Sequence, residues 1–219
     1  MSDRFLTIDA APGEGMDVEL EIKRSRFLTR IRRVTTEEQA RAVVEERRST
    51  HFDARHHCSA FVLGPDGRTA RSSDDGEPAG TAGVPMLTAL RRSGLTDVVA
   101  VVTRYFGGVK LGAGGLVRAY TDAVAQAVSA VGTREVRLTG LFRVDVDFAA
   151  AGQVEDQLRG LVLPGGAPVI VDGVEWTDRA HIAVAVPSAL ADELTTALAT
   201  LSAGALAATP IGERWTDYA

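Results

Sequence analysis

The chain has 219 residues, 45% of them hydrophobic and 24% charged, with a net charge of −5 and a single cysteine, Cys58. That length suits two domains, the composition excludes wholesale disorder, and apolar runs such as Val98–Val102 are far too short to span a bilayer. One cysteine forbids an intramolecular disulfide, and residues 1–15 carry Asp3, Asp9 and Glu14 with no apolar leader, so a cytoplasmic protein with no membrane partner is expected.

Residues 1–15 read as a loosely ordered arm. Val18–Lys23 and Arg26–Val34 read as strands, the second with Phe27, Thr29, Ile31 and Arg33 on one face. Thr35 with Glu38 fits a capping box. The helix it opens has Ala40, Val43 and Val44 inward, and Arg47 and Arg48 in its last turn, where cations suit the dipole. His57–Leu63 is a strand, Gly64-Pro65-Asp66-Gly67 a tight turn, and Arg68–Ser72 the returning strand. A polar loop, Ser73–Gly80, feeds a helix over Thr81–Ser93, with Pro85 near its first turn and Gly94 as its stop. Asp97–Tyr105 reads as a strand buried on both faces. Glycine-rich Phe106–Gly115 then leads into a helix over Ala113–Val131, closed by Gly132.

The pattern restarts beyond that glycine. Val136–Phe148 is a strand, Ala150–Arg159 a helix, Pro164–Pro168 a turn, and Val169–Trp176 and Arg179–Val186 strands joined at Thr177-Asp178. Ser188 caps a helix reaching Leu201, and Leu206–Arg214 closes the order β-α-β-β-α-β of a ferredoxin-like domain. The expected fold is therefore α+β in two domains, 1–133 and 134–219. Charge divides with them. Residues 1–134 hold 19 basic and 17 acidic side chains, whereas residues 135–219 hold 5 and 12. An anionic partner would favour the front half.

Three stretches carry chemistry. The first runs from Thr103 to Tyr120 and has glycines at 107, 108, 112, 114 and 115, between a buried strand and a helix start. Glycines there leave room for a ligand, and a helix N-terminus offers unpaired N–H groups to an anion. Arg104, Gly107, Gly108, Lys110, Gly112, Gly114, Gly115 and Arg118 are the candidate anion-binding residues. Lys110 is one of only two lysines among 24 basic residues, the other being Lys23. Leu111 after Lys110 excludes a Walker A loop, and a loop that merely lets helix and strand pack closely is the alternative. The second stretch, Ser72–Gly83, places Asp74, Asp75 and Glu77 within four positions. They are candidates for a Mg²⁺ site or a general base, or simply for capping the next helix. No other cofactor is indicated. The third, His51–Cys58, has zinc-ligand residue types without paired CxxC spacing. His56 and Cys58 share one strand face and His57 the other, and a structural role is expected.

These stretches, in this order, resemble the YigZ/IMPACT family of small cytoplasmic proteins. The matching residues are Lys23-Arg24-Ser25-Arg26-Phe27, His51 with Ala54, His56 and Cys58, Ser73–Pro78 with Gly80–Gly83, and Val102–Gly108 with Lys110–Gly112 and Gly114–Tyr120. The resemblance covers roughly residues 17–131. It implies a first domain like domain 2 of ribosomal protein S5, and for bacterial members a ferredoxin-like second domain. Eukaryotic relatives regulate translation under amino-acid stress by binding a partner of a translation-factor kinase; they have an extra interaction domain that is not expected here, so that partner role does not simply transfer. No established enzyme activity comes with the family. The leading expectation is a non-enzymatic regulator linked to translation or stress. It would bind RNA, a ribosome-associated factor or another phosphate-bearing ligand through the first domain. The alternatives are an enzyme acting on a phosphorylated small molecule or nucleotide, and a protein-interaction module.

Overall fold

The computed structural model describes residues 3–218 and divides into two compact units, one ending at Glu135 and the other spanning Val136–Tyr218. Both are α+β, as the alternation of strand and helix patterns implies.

The first unit begins with β1 (Arg4–Ile8), where a loose arm was expected. Phe5, Thr7 and Ile8 are buried there, the Leu6 carbonyl accepts the Thr96 N–H at 2.9 Å, and Leu6 forms a parallel bridge with Leu95. The antiparallel hairpin β2 (Gly15–Ile22) and β3 (Ser25–Arg33) follows. Lys23, expected inside a strand, instead shares the hairpin turn with Arg24. Both have positive φ, 49° and 65°, which non-glycine residues adopt at a cost.

Helix α1 (Glu37–Thr50) is capped by Thr36, one residue later than expected. The Thr36 hydroxyl accepts the Gln39 N–H, while the Gln39 side chain accepts from the Thr35 N–H at 2.8 Å. The arrangement differs from a capping box in that Gln39, standing where Glu38 was expected, reaches back to the residue before the cap rather than to the cap itself. Strands β4 (His56–Leu63) and β5 (Thr69–Ser73), helix α2 (Gly83–Arg92), strand β6 (Val98–Tyr105) and helix α3 (Gly112–Val131) complete the unit.

Its sheet runs β2-β3-β6-β4-β5 with antiparallel neighbours. Val98, Ala100 and Val102 of β6 join the core under α2 and α3, while Val99 and Val101 pack with Val43 of α1 on the other face. The expected two-sided burial of β6 follows. This register sets His56 opposite Arg104, and Tyr105 opposite Arg26.

Strand β7 (Thr133–Val146) starts three residues ahead of the expected Val136, and Phe148 opens helix α4 (Phe148–Arg159) rather than ending a strand. The second unit continues with the short hairpin β8 (Val162–Leu163) and β9 (Ala167–Pro168), the long hairpin β10 (Ile170–Trp176) and β11 (Ala180–Pro187), helix α5 (Ala191–Ser202) and β12 (Ala208–Tyr218). A 3₁₀ turn at Ser188–Leu190 precedes α5, so Ser188 does not cap it. Within this unit the strand order is β12-β7-β11-β10, which numbers 4-1-3-2 along the βαββαβ path. That is the ferredoxin-like arrangement. Leu158 of α4 and Leu194 and Leu198 of α5 pack on Val144, Ile182 and Val184 of the sheet.

Candidate anion-binding cavity

Asp74, Asp75 and Glu77 leave the end of β5 together and diverge at once. The Asp74 carboxylate accepts the N–H groups of Gly80, Ala82 and Gly83 at 2.7, 3.0 and 2.8 Å, capping α2 from eight residues upstream. Burial alone would raise its pKa, but the three N–H bonds outweigh that and hold it below the usual carboxylate value. Asp75 accepts the His57 N–H at 2.6 Å and pairs with Arg48 at 2.7 Å. Glu77 turns inward, where one oxygen accepts from Arg104 at 2.7 Å and from the Tyr120 hydroxyl at 2.8 Å. All three carboxylates are engaged by protein donors. Among the described residues, no cluster of three or more His, Cys, Asp and Glu side chains is arranged to hold a metal ion.

Cys58 lies beneath this loop, its sulfur 3.0 Å from the Asp74 carbonyl and 3.3 Å from the Tyr120 hydroxyl. Burial above all pushes the thiol up to about 12, far from the range of a reactive cysteine. Burial, reinforced by Cys58 and Glu77, also raises the Tyr120 phenol. His57 is buried with Nδ1 3.1 Å from the Thr103 hydroxyl, and burial lowers its pKa. His56, on the other face of β4, sets Nδ1 3.0 Å from the Asp75 carbonyl.

The opposite side of the same region is open. A cavity of about 600 Å³ is walled by Asp53–His56, Glu77, Pro78, Arg104–Phe106, Lys110–Ala113 and Leu116. Helix α3 enters it with its N-terminus. Among the described residues no side chain caps this end, and no acidic residue lies in its first turn, so the start of α3 brings N–H groups and a partial positive charge to the cavity. Lys110 is exposed and has no hydrogen-bond or ion-pair partner among the described residues. Arg55, also exposed and likewise unpartnered, adds a second cation.

The glycines make this approach possible. A Cβ on Gly107 would sit 2.0 Å from the Arg24 carbonyl carbon, so only glycine lets the loop pass under the β2–β3 turn. Gly112 has a φ of 73°, a conformation that turns the chain into α3 and suits glycine. Gly108 has a φ of 84° and open space around it, and Gly114 and Gly115 lie in the first turn.

Of the anion-binding candidates, Arg104, Lys110 and Gly112 line the cavity, Gly107 and Gly108 shape its approach, and Arg118 is exposed outside the lining. Arg104 is largely committed to Glu77, with side-chain exposures of 8% and 3% for the pair. Sequence reading gave no role to Asp53, Arg55, Tyr105 or Phe106, all of them wall residues. Tyr105 donates to Asp53 at 2.8 Å and lies 3.1 Å from His51 Nδ1. Only the β4–β6 register brings these segments together.

Comparison with known proteins shows what the chain is similar to. Residues 23–128 match the model of the Impact N-terminal domain. The IMPACT family member YigZ of Escherichia coli is 40% identical over 202 residues, covering 91% of this chain and 94% of its own. The family member YvyE of Bacillus subtilis is 43% identical over 146 residues, 67% of each chain. A solved crystal structure of a hypothetical protein, 36% identical, superposes with a TM-score of 0.62 over 98% of this chain and 100% of that one.

Proposed function

The chain belongs to the IMPACT family, and on that premise we propose that it is a non-enzymatic, translation-linked regulator whose N-terminal unit binds RNA through phosphate. The translational setting is the expectation that the family resemblance brings. The phosphate preference rests on one observation: an unpartnered Lys110 stands at the rim of a cavity that the uncapped N-terminus of α3 enters.

A phosphate seated there would meet an ammonium with three donors and backbone N–H groups aimed by the helix. Charge-assisted hydrogen bonds contribute roughly 1.5–3 kcal/mol each, and the helix end under about 1 kcal/mol at an exposed site. An enzyme acting on a phosphorylated small molecule would need a free base, nucleophile or metal ligand. The engagement of Asp74, Asp75 and Glu77, and the raised Cys58 thiol, count against that reading.

Lys110→Ala should weaken binding of a short RNA roughly tenfold to a hundredfold, with the thermal melt unchanged because an exposed loop lysine adds little to a core. Lys110→Arg should restore only part of the affinity, since a planar fork does not replace a compact ammonium. Calorimetry at two salt concentrations reads both effects. Equal binding by wild type and Lys110→Ala, or no binding by either, would contradict the proposal.

A further inference from the structure

Phe106 is 59% exposed, yet its ring is braced from within. The Arg104 guanidinium carbon lies 5.8 Å from the Phe106 ring centre and 5.5 Å from that of buried Phe27. Arg104 is itself more than nine-tenths buried, tied to Glu77 through Nη1, with its Nε left without a partner. Phe27 meets Tyr120 edge-on at 5.3 Å, and Tyr120 donates to the same Glu77 oxygen that Arg104 uses. The series Phe27, Arg104, Phe106 therefore ends in an aromatic face turned to solvent at the cavity wall. Arg104 is a positioning residue here, fixing the ring from beneath.

Lys110 and Arg55 line the same cavity as this ring. Gly107, the neighbour of Phe106, touches the backbone of the Lys23–Arg24 turn. Both turn residues are exposed, hold their positive φ, and have no partner among the described residues. The acids of the wall are engaged, Asp53 by Tyr105 and Glu77 by Arg104. A braced aromatic face with cations in the same cavity wall suits a ligand that alternates a flat π system with negative charge, as a nucleic-acid strand with unpaired bases does.

We propose that this surface binds single-stranded RNA, with one base stacked on Phe106 and phosphates held by Lys110 with the start of α3 and by the Lys23–Arg24 turn. The inference rests on the phosphate reading above and adds to it a requirement for an accessible base.

The test titrates wild type, Phe106→Ala and Phe106→Trp with three probes. These are a mixed-sequence single-stranded RNA of about ten nucleotides, duplex RNA of that sequence, and inorganic tripolyphosphate. Phe106→Ala should weaken single-strand binding roughly tenfold to a hundredfold, Phe106→Trp should preserve it, and tripolyphosphate affinity should stay constant. Duplex should bind wild type more weakly than the single strand, because its bases are hidden. Removing an exposed ring leaves the core intact, and melts check this. If tripolyphosphate binds but Phe106→Ala leaves RNA affinity unchanged, or if duplex binds as well as single strand, the stacking inference is wrong and the phosphate site stands. If wild type binds neither RNA nor tripolyphosphate, both fall.

Discussion

Glu77 holds two buried partners with one oxygen, and its removal would strand both Arg104 and Tyr120. An arginine left buried without its counter-charge is costly, about 3–5 kcal/mol when one partner of such a pair is deleted. Glu77→Leu should therefore destabilise the protein by about that amount in urea unfolding. Glu77→Gln, which still accepts from the phenol, should cost less. A Glu77→Leu midpoint indistinguishable from wild type would show that Arg104 is not held as described. The contrast with Asp74 and Asp75 explains why the sequence left these residues ambiguous. Three acids within four positions look alike until their partners are known: those of Asp74 lie in the loop and at the start of α2, and those of Asp75 and Glu77 come from α1, β4, β6 and α3.

At the scale of elements, α2 starts without a cap of its own and depends on Asp74. The depressed pKa of that carboxylate gives a definite sign. A group with a folded pKa below its unfolded value stabilises the fold above the unfolded value, and this contribution is lost as pH falls through the folded one. Asp74→Asn, which sets an amide NH2 where one of the two carboxylate oxygens accepts, should thus be destabilised near neutral pH, by about 1–3 kcal/mol as for a hydrogen bond lost to a charged group. The gap should close as pH falls below the ordinary aspartate range near 3.8. Paired urea titrations across that range measure it, and a gap that does not change with pH would contradict the capping role. The strongly patterned elements, β3, β6 and α3, were legible because alternation or helical spacing ran through many residues. Strand β1 was not, because five residues give little periodicity and its parallel bridge to Leu95 is a tertiary fact. Nor was the Lys23–Arg24 turn, since neither residue announces positive φ as Asn-Gly would. The glycine density marked the approach to the cavity, but the wall formed by Asp53, Arg55, Tyr105 and Phe106 emerged only from strand register.

For the whole molecule, the two units differ in charge as well as fold. Residues 135–219 hold 12 acidic against 5 basic side chains, a field that repels RNA, while the first unit is near balance and sets Arg55 and Lys110, without partners among the described residues, at one cavity. Binding should therefore concentrate on the N-terminal unit and weaken with salt. The most direct test follows backbone amide shifts of the full chain by NMR while single-stranded RNA is added. Shifts confined to Arg55, Phe106–Gly115 and the Lys23–Arg24 turn, with residues 136–218 unmoved, are the predicted result. Shifts centred in the second unit, or none at saturating RNA, would contradict the account.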